Sequence, residues 1–80
     1  MRGEQYRRIL GAIEYTLDQL RAGPKARQEH EKEAYYEQRV ESWYRSKQVF
    51  VLYSIRIVRT VDEQKAKGYL NELRRIREWV

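Results

Sequence analysis

Residues 48–60, QVFVLYSIRIVRT, constrain the fold of this chain more than any other segment. At a period of two, Val49, Val51, Tyr53, Ile55 and Ile57 share one face. Ser54, Arg56 and Thr60 share the other, beside Phe50, Leu52 and Val58. The abundance of β-branched residues favours a strand. At a helical period, Glu41, Arg45, Gln48, Leu52, Arg56, Arg59 and Glu63 form one stripe at steps of three and four, and the run continues a preceding helix. Periodicity fits both readings. The strand is preferred because the run ends in a helix-start signal. Thr60-Val61-Asp62-Glu63 has the S/T-x-x-E form of a capping box, and its acidic residues suit the positive end of a helix dipole. A fresh helix start at Thr60 means the preceding run need not be helical.

Helices flank the run. Tyr6, Ile9, Leu10, Ile13, Leu17 and Leu20 recur at helical spacing, and Gly23-Pro24 predicts a left-handed cap and a tight corner at 22–25. A second helix is predicted over about 25–46, with Tyr36, Val40, Trp43 and Tyr44 on its apolar face and a solvated first part at 25–34. Arg27–Glu31 and Glu41–Arg45 are opposite charges four residues apart on that helix. A third helix is predicted over about 61–79, with Tyr69, Leu70, Leu73, Ile76 and Val80 facing inward. Gly68 in its middle suggests a close helix contact, since an exposed glycine there costs about 1 kcal/mol relative to alanine.

A single strand needs a partner for its amides and carbonyls. The residues at 45–48 contain no Gly, Pro or Asn to make a hairpin turn, so pairing is expected across a homodimer axis. The expected fold is therefore α+β and mainly helical, in the order helix-helix-strand-helix. The alternative is an all-α bundle in which the second helix runs on past residue 55.

Size and charge narrow the rest. Eighty residues make one domain with a thin stability margin, and the absence of cysteine excludes disulfides and thiolate metal sites. Self-association is the remaining support. Residues 1–44 are neutral, with eight basic and eight acidic side chains. Residues 45–80 hold nine basic against four acidic ones, so the whole net charge of +5 lies there. A neutral helical part joined to a basic strand-helix part points to an anionic partner. No apolar stretch approaches the roughly 20 residues that span a bilayer, and no apolar signal core opens the sequence, so a cytoplasmic protein without membrane contact is expected.

The expected function is nucleic-acid binding, with double-stranded DNA as the favoured ligand, by a dimeric accessory or transcriptional regulatory protein. Arg56, Arg59, Lys65, Lys67, Arg74 and Arg75 are the candidate contacts, because arginine's planar fork matches phosphates and guanine edges. Lys67, Asn71, Arg74 and Glu78 form an exposed stripe on the third helix. The alternative is a protein-interaction module, a small inhibitor or adaptor, that uses the apolar 49–58 run and the aromatics Tyr35, Tyr36, Trp43, Tyr44, Phe50 and Tyr53. Trp79 reads as a packing plug. His30, with Glu33 and Glu37, makes a poor cation cage, so no metal and no cofactor is expected. No nucleophile elbow or phosphate-binding glycine loop is present, and the protein is not expected to be an enzyme.

The segment IRIVRT followed by VDEQKAKGYLNELRRI resembles the ribbon-helix-helix repressors over about 30 residues, as a strand leading into a capped helix. That family's strand is N-terminal, whereas 47 residues precede the run here, and the motif's second helix is missing. The resemblance implies a dimeric ribbon that enters the major groove of DNA.

Overall fold

The computed structural model describes residues 2–77. Three helices follow one another: α1 (Gly3–Ala22), α2 (Glu33–Arg59) and α3 (Glu63–Ile76), with no strand among the described residues. The fold is all-helical. The predicted α+β arrangement is overturned, and with it the inter-subunit ribbon and the resemblance to ribbon-helix-helix repressors. Residues 48–59 are the second half of α2.

Burial explains this outcome. Val51 and Val58 are fully buried, and Ser54 and Ile55 join them at helical spacing. Val49 is 59% exposed and Tyr53 67%, though alternation placed both on one face with Val51 and Ile55. The five β-branched residues of 48–59 cost up to about 0.7 kcal/mol each relative to alanine in a helix. Burial of Val51, Ile55 and Val58 stabilises by roughly 1.5–3 kcal/mol each, which exceeds that cost. A lone strand would also have left its backbone unpaired.

The core is shared evenly. Ile13, Leu17 and Leu20 of α1 meet Val51, Ile55 and Val58 of α2 and Ala66, Tyr69 and Leu73 of α3. Trp43, Tyr44, Leu70 and Ile76 extend it as half-buried neighbours. Helices α1 and α3 both pack mainly on α2. The α1–α2 packing is antiparallel: Lys47 Nζ donates to Gln19 Oε1 at 3.0 Å near the end of α1. At the far end of α3, Arg77 Nη2 donates to Glu41 Oε1 at 2.7 Å, so α3 also runs antiparallel to α2. The Arg77 guanidinium lies 4.3 Å from the centre of the Tyr44 ring.

Three local expectations change. Gly23 does end α1, with φ +84° and its N–H on Gln19 O at 3.0 Å. Yet α2 starts at Glu33, so residues 25–32 are not helical. They carry no apolar stripe, and favourable propensity without burial does not sustain a helix. Instead Arg39 reaches back from α2 and holds this segment. Its guanidinium grips Glu31 at 2.7 and 3.0 Å and donates to Lys25 O at 3.2 Å. Glu31 therefore pairs with Arg39 and Glu41 with Arg77, in place of the expected Arg27 and Arg45. The Arg39 hydrogen bond holds the Glu31 carboxyl below its ordinary pKa.

The cap of α3 lies two residues beyond the expected one. Asp62 accepts from Lys65 N at 3.1 Å, while Thr60 Oγ1 donates back to Ile57 O and helps close α2. Gly68 has open space where a Cβ would stand, so no close helix contact explains it. The positions Glu78, Trp79 and Val80 lie outside the described residues.

Tyr69 is the one polar compromise among the nine buried residues of the core. Its hydroxyl is buried without a hydrogen-bond partner. Burial first, and then the nearby Glu14 carboxylate, push its pKa up to about 12. A pKa raised on folding favours the neutral form in the folded state. Its stability is complete below pH 10 and is lost as pH rises from 10 towards 12. Tyr69→Phe is expected to remove about 1.4 kcal/mol of alkaline loss by pH 11, while leaving stability at pH 7 unchanged or raised by about 1 kcal/mol. Urea unfolding of both forms at pH 7 and pH 11 checks this, and an equal alkaline loss in both would contradict it.

Candidate functional site: a basic-rimmed groove

Helices α2 and α3 leave an open groove along one side of their junction. Its volume is about 540 Å³. The floor is Leu52 and Ile55 from α2 with Ala66 and Leu70 from α3. The rim is Arg56, Arg59 and Lys67, with Glu63 the single acidic member. The short 60–62 turn sets the geometry, because it folds α3 back within two turns of the α2 residues that it faces. Arg56 and Arg59 occupy the last turn of α2, where cations suit the negative end of the dipole. Leu52 remains 37% exposed, so the floor is open to an incoming group.

None of the ion pairs among the described residues involves Arg56, Arg59 or Lys67. The ion pairs among the described residues engage Arg8, Arg21, Arg39 and Arg77, and several other basic side chains, Arg45, Lys65, Arg74 and Arg75 among them, are in none. Arg21 is held by Asp18 at 2.7 Å and Glu72 at 2.8 Å, and Arg39 by Glu31. The groove thus joins an apolar surface to three cationic side chains that no ion pair among the described residues neutralises.

The six residues predicted as nucleic-acid contacts do not form one patch. Arg56, Arg59 and Lys67 meet at the groove. Arg74 stands seven residues after Lys67, hence on the same side of α3. Lys65 is two residues before Lys67, about 160° away around the helix. Arg75 lines a different cleft of about 480 Å³ with Leu20, Arg21, Tyr44, Glu72 and Ile76. That cleft is crossed by the Arg21–Glu72 ion pair.

Of the floor residues, Leu52 and Ile55 fall in the 49–58 run expected to serve a protein partner, whereas Ala66 and Leu70 were in no predicted site. The helical stripe through residues 48–63 contains Leu52, Arg56, Arg59 and Glu63 and was the signal for the α2 side of the groove. The aromatic group also divides. Trp43 and Tyr44 pack edge to face at 5.0 Å, and Lys47 Nζ lies 5.6 Å from the Trp43 ring centre. Tyr36 carries Arg39 at 5.2 Å. Tyr35, Phe50 and Tyr53 remain exposed. His30 lies in the 23–32 connection and is exposed, so it shares no helix face with Glu33 and Glu37.

Among the described residues, no cluster of His, Asp or Glu has a metal-binding arrangement, and no helix is long and apolar enough to cross a membrane. Comparison with protein-family models, curated proteins and solved structures found no match to this chain.

Proposed function

We propose that this chain is a small protein-interaction module, an adaptor or inhibitor, whose α2/α3 groove takes an acidic amphipathic helix from a partner protein. One observation carries the reading: three cations that no ion pair among the described residues neutralises stand, with Glu63, along the rim of an apolar floor. A helix with leucines at helical spacing buries its apolar face on Leu52, Ile55 and Leu70. Glutamates on the flanks of that helix meet Arg56, Arg59 and Lys67, which steer the encounter and set the register. Phosphate chains match the rim but gain nothing from the floor, which is why a peptide is favoured over nucleic acid. The absence of cysteine suits a reducing compartment, and a cytoplasmic location is part of the same proposal.

The test is binding of a fluorescent Leu/Glu amphipathic helical peptide, followed by anisotropy, beside a random-sequence DNA duplex. The peptide is expected to bind, and Leu70→Glu is expected to weaken it at least about 10-fold, through a lost apolar contact and an added like charge. DNA binding that survives Leu70→Glu and falls with salt at a logarithmic slope of about −3 would replace this reading with the nucleic-acid one.

A further inference from the structure

Beside the turn end of the groove lies a second cleft, of about 390 Å³. Arg56, Arg59 and Thr60 line it, with no acidic and no apolar residue. The three stand within about 100° of arc at the end of α2. All three are exposed, and neither arginine is in any ion pair among the described residues. The two arginines therefore serve two surfaces. They rim the apolar groove, and they also wall this cleft.

The cleft asks for a different occupant from the groove. Two guanidinium forks offer two parallel N–H donors each, and the Thr60 hydroxyl adds one O–H. A carboxylate has two oxygens, which one fork uses. A phosphoryl group has three terminal oxygens and a charge of about −1.5 to −2, enough for both forks and the hydroxyl. Thr60 Oγ1 donates to Ile57 O at 2.6 Å, and the same carbonyl accepts from Thr60 N at 3.1 Å. A hydroxyl turned to a phosphate therefore leaves Ile57 O satisfied. Asp62 is already engaged, as it accepts from Lys65 N at 3.1 Å. The negative end of the α2 dipole, about half a unit charge, opposes an anion here, and two full positive charges outweigh it.

Thr60 follows Leu52 by eight residues, about 12 Å along α2. A phosphate stabilises a helix from its first turn. A partner helix that starts at the cleft therefore brings its leucines onto Leu52 and Leu70 about two turns later.

We propose that the groove selects a partner helix phosphorylated in its first turn, with the phosphoryl group of a phosphoserine or phosphothreonine held by Arg56, Arg59 and Thr60. The proposal rests on the groove reading above and adds the modification that the partner carries. The groove supplies apolar contact, and the cleft makes binding depend on phosphorylation.

The test uses the Leu/Glu peptide with serine, glutamate or phosphoserine in its first turn, compared by anisotropy. The phosphoserine form is expected to bind at least about 10-fold tighter than the serine form, and the glutamate form within about 3-fold of it. In Arg56→Gln/Arg59→Gln the gain from phosphoserine is expected to fall below about 2-fold, with unchanged helical circular dichroism because both positions are exposed. The ratio of the two peptides is the readout, since both arginines also serve the groove. Inorganic phosphate equimolar with the peptide is expected to displace none of it, because it lacks the apolar contact. A phosphoserine form no tighter than the glutamate form, a gain that survives loss of both arginines, or displacement by equimolar inorganic phosphate would each overturn the inference alone. If none of the three peptides binds, the groove reading falls and the inference falls with it.

Discussion

Val58→Asp is expected to abolish the cooperative thermal transition of this protein, while Leu52→Asp leaves it in place. Val58 is fully buried against α1 and α3, and Leu52 is 37% exposed at the groove. An 80-residue domain has about 4–12 kcal/mol of stability. Val58→Asp removes roughly 1.5–3 kcal/mol of apolar burial and leaves a carboxylate without a partner in the core, which costs several kcal/mol more. The two together exhaust the margin. Leu52→Asp forfeits part of a side chain's burial and some helix propensity, about 1–2 kcal/mol. The contrast separates the two readings of the 48–60 run. On a strand these residues share a face and respond alike. On α2 they stand about 120° apart. Thermal unfolding followed by circular dichroism checks this, and similar behaviour of the two variants would count against the helix.

The sequence made α1 legible almost entirely. Its apolar positions fall at helical spacing, and Gly23 ends it as expected. The second half of α2 was harder because Val49, Phe50, Leu52, Tyr53 and Ile57 surround the helix on sides away from the core. A helix apolar on nearly every side has no clean period, and alternation then fits by default. The Thr60 box added to the error. Its pattern is sound, but Asp62 lies closer to the first helical residue and accepts the amide of Lys65 itself. The 25–32 stretch misled in the opposite way. Its composition favours a helix, and nothing in it has a core to bury against.

The basic half of the chain was visible from charge alone, and Arg56, Arg59 and Lys67 do come together. Their relation to Leu52 and Leu70 was not visible. It depends on the three-residue turn that folds α3 onto α2, and this became apparent only once the 48–60 run was helical.

Reversal of the rim is expected to reverse the preference for partner charge. Arg56→Glu/Arg59→Glu/Lys67→Glu should weaken the acidic peptide about 100-fold and bind a Leu/Lys peptide that the parent rejects. Exposed pairs contribute about 0.2–1 kcal/mol each, and reversal both removes an attraction and adds a repulsion. The apolar floor is untouched, so binding moves to the opposite charge and is not lost. Unchanged helical circular dichroism controls for folding. Anisotropy of both peptides on both proteins is the measurement. Equal loss of both peptides would show that the rim does not select by charge.

Recognition through the α2/α3 groove is best tested by an amide-resolved NMR titration. The ¹⁵N-labelled protein is titrated with the Leu/Glu peptide. Saturable shifts are expected along Leu52–Arg59 and Glu63–Leu70, with the Arg75 cleft and the 25–32 connection unmoved. No saturable shift, or shifts centred on Leu20, Tyr44 and Ile76, would rule the groove out as the recognition surface.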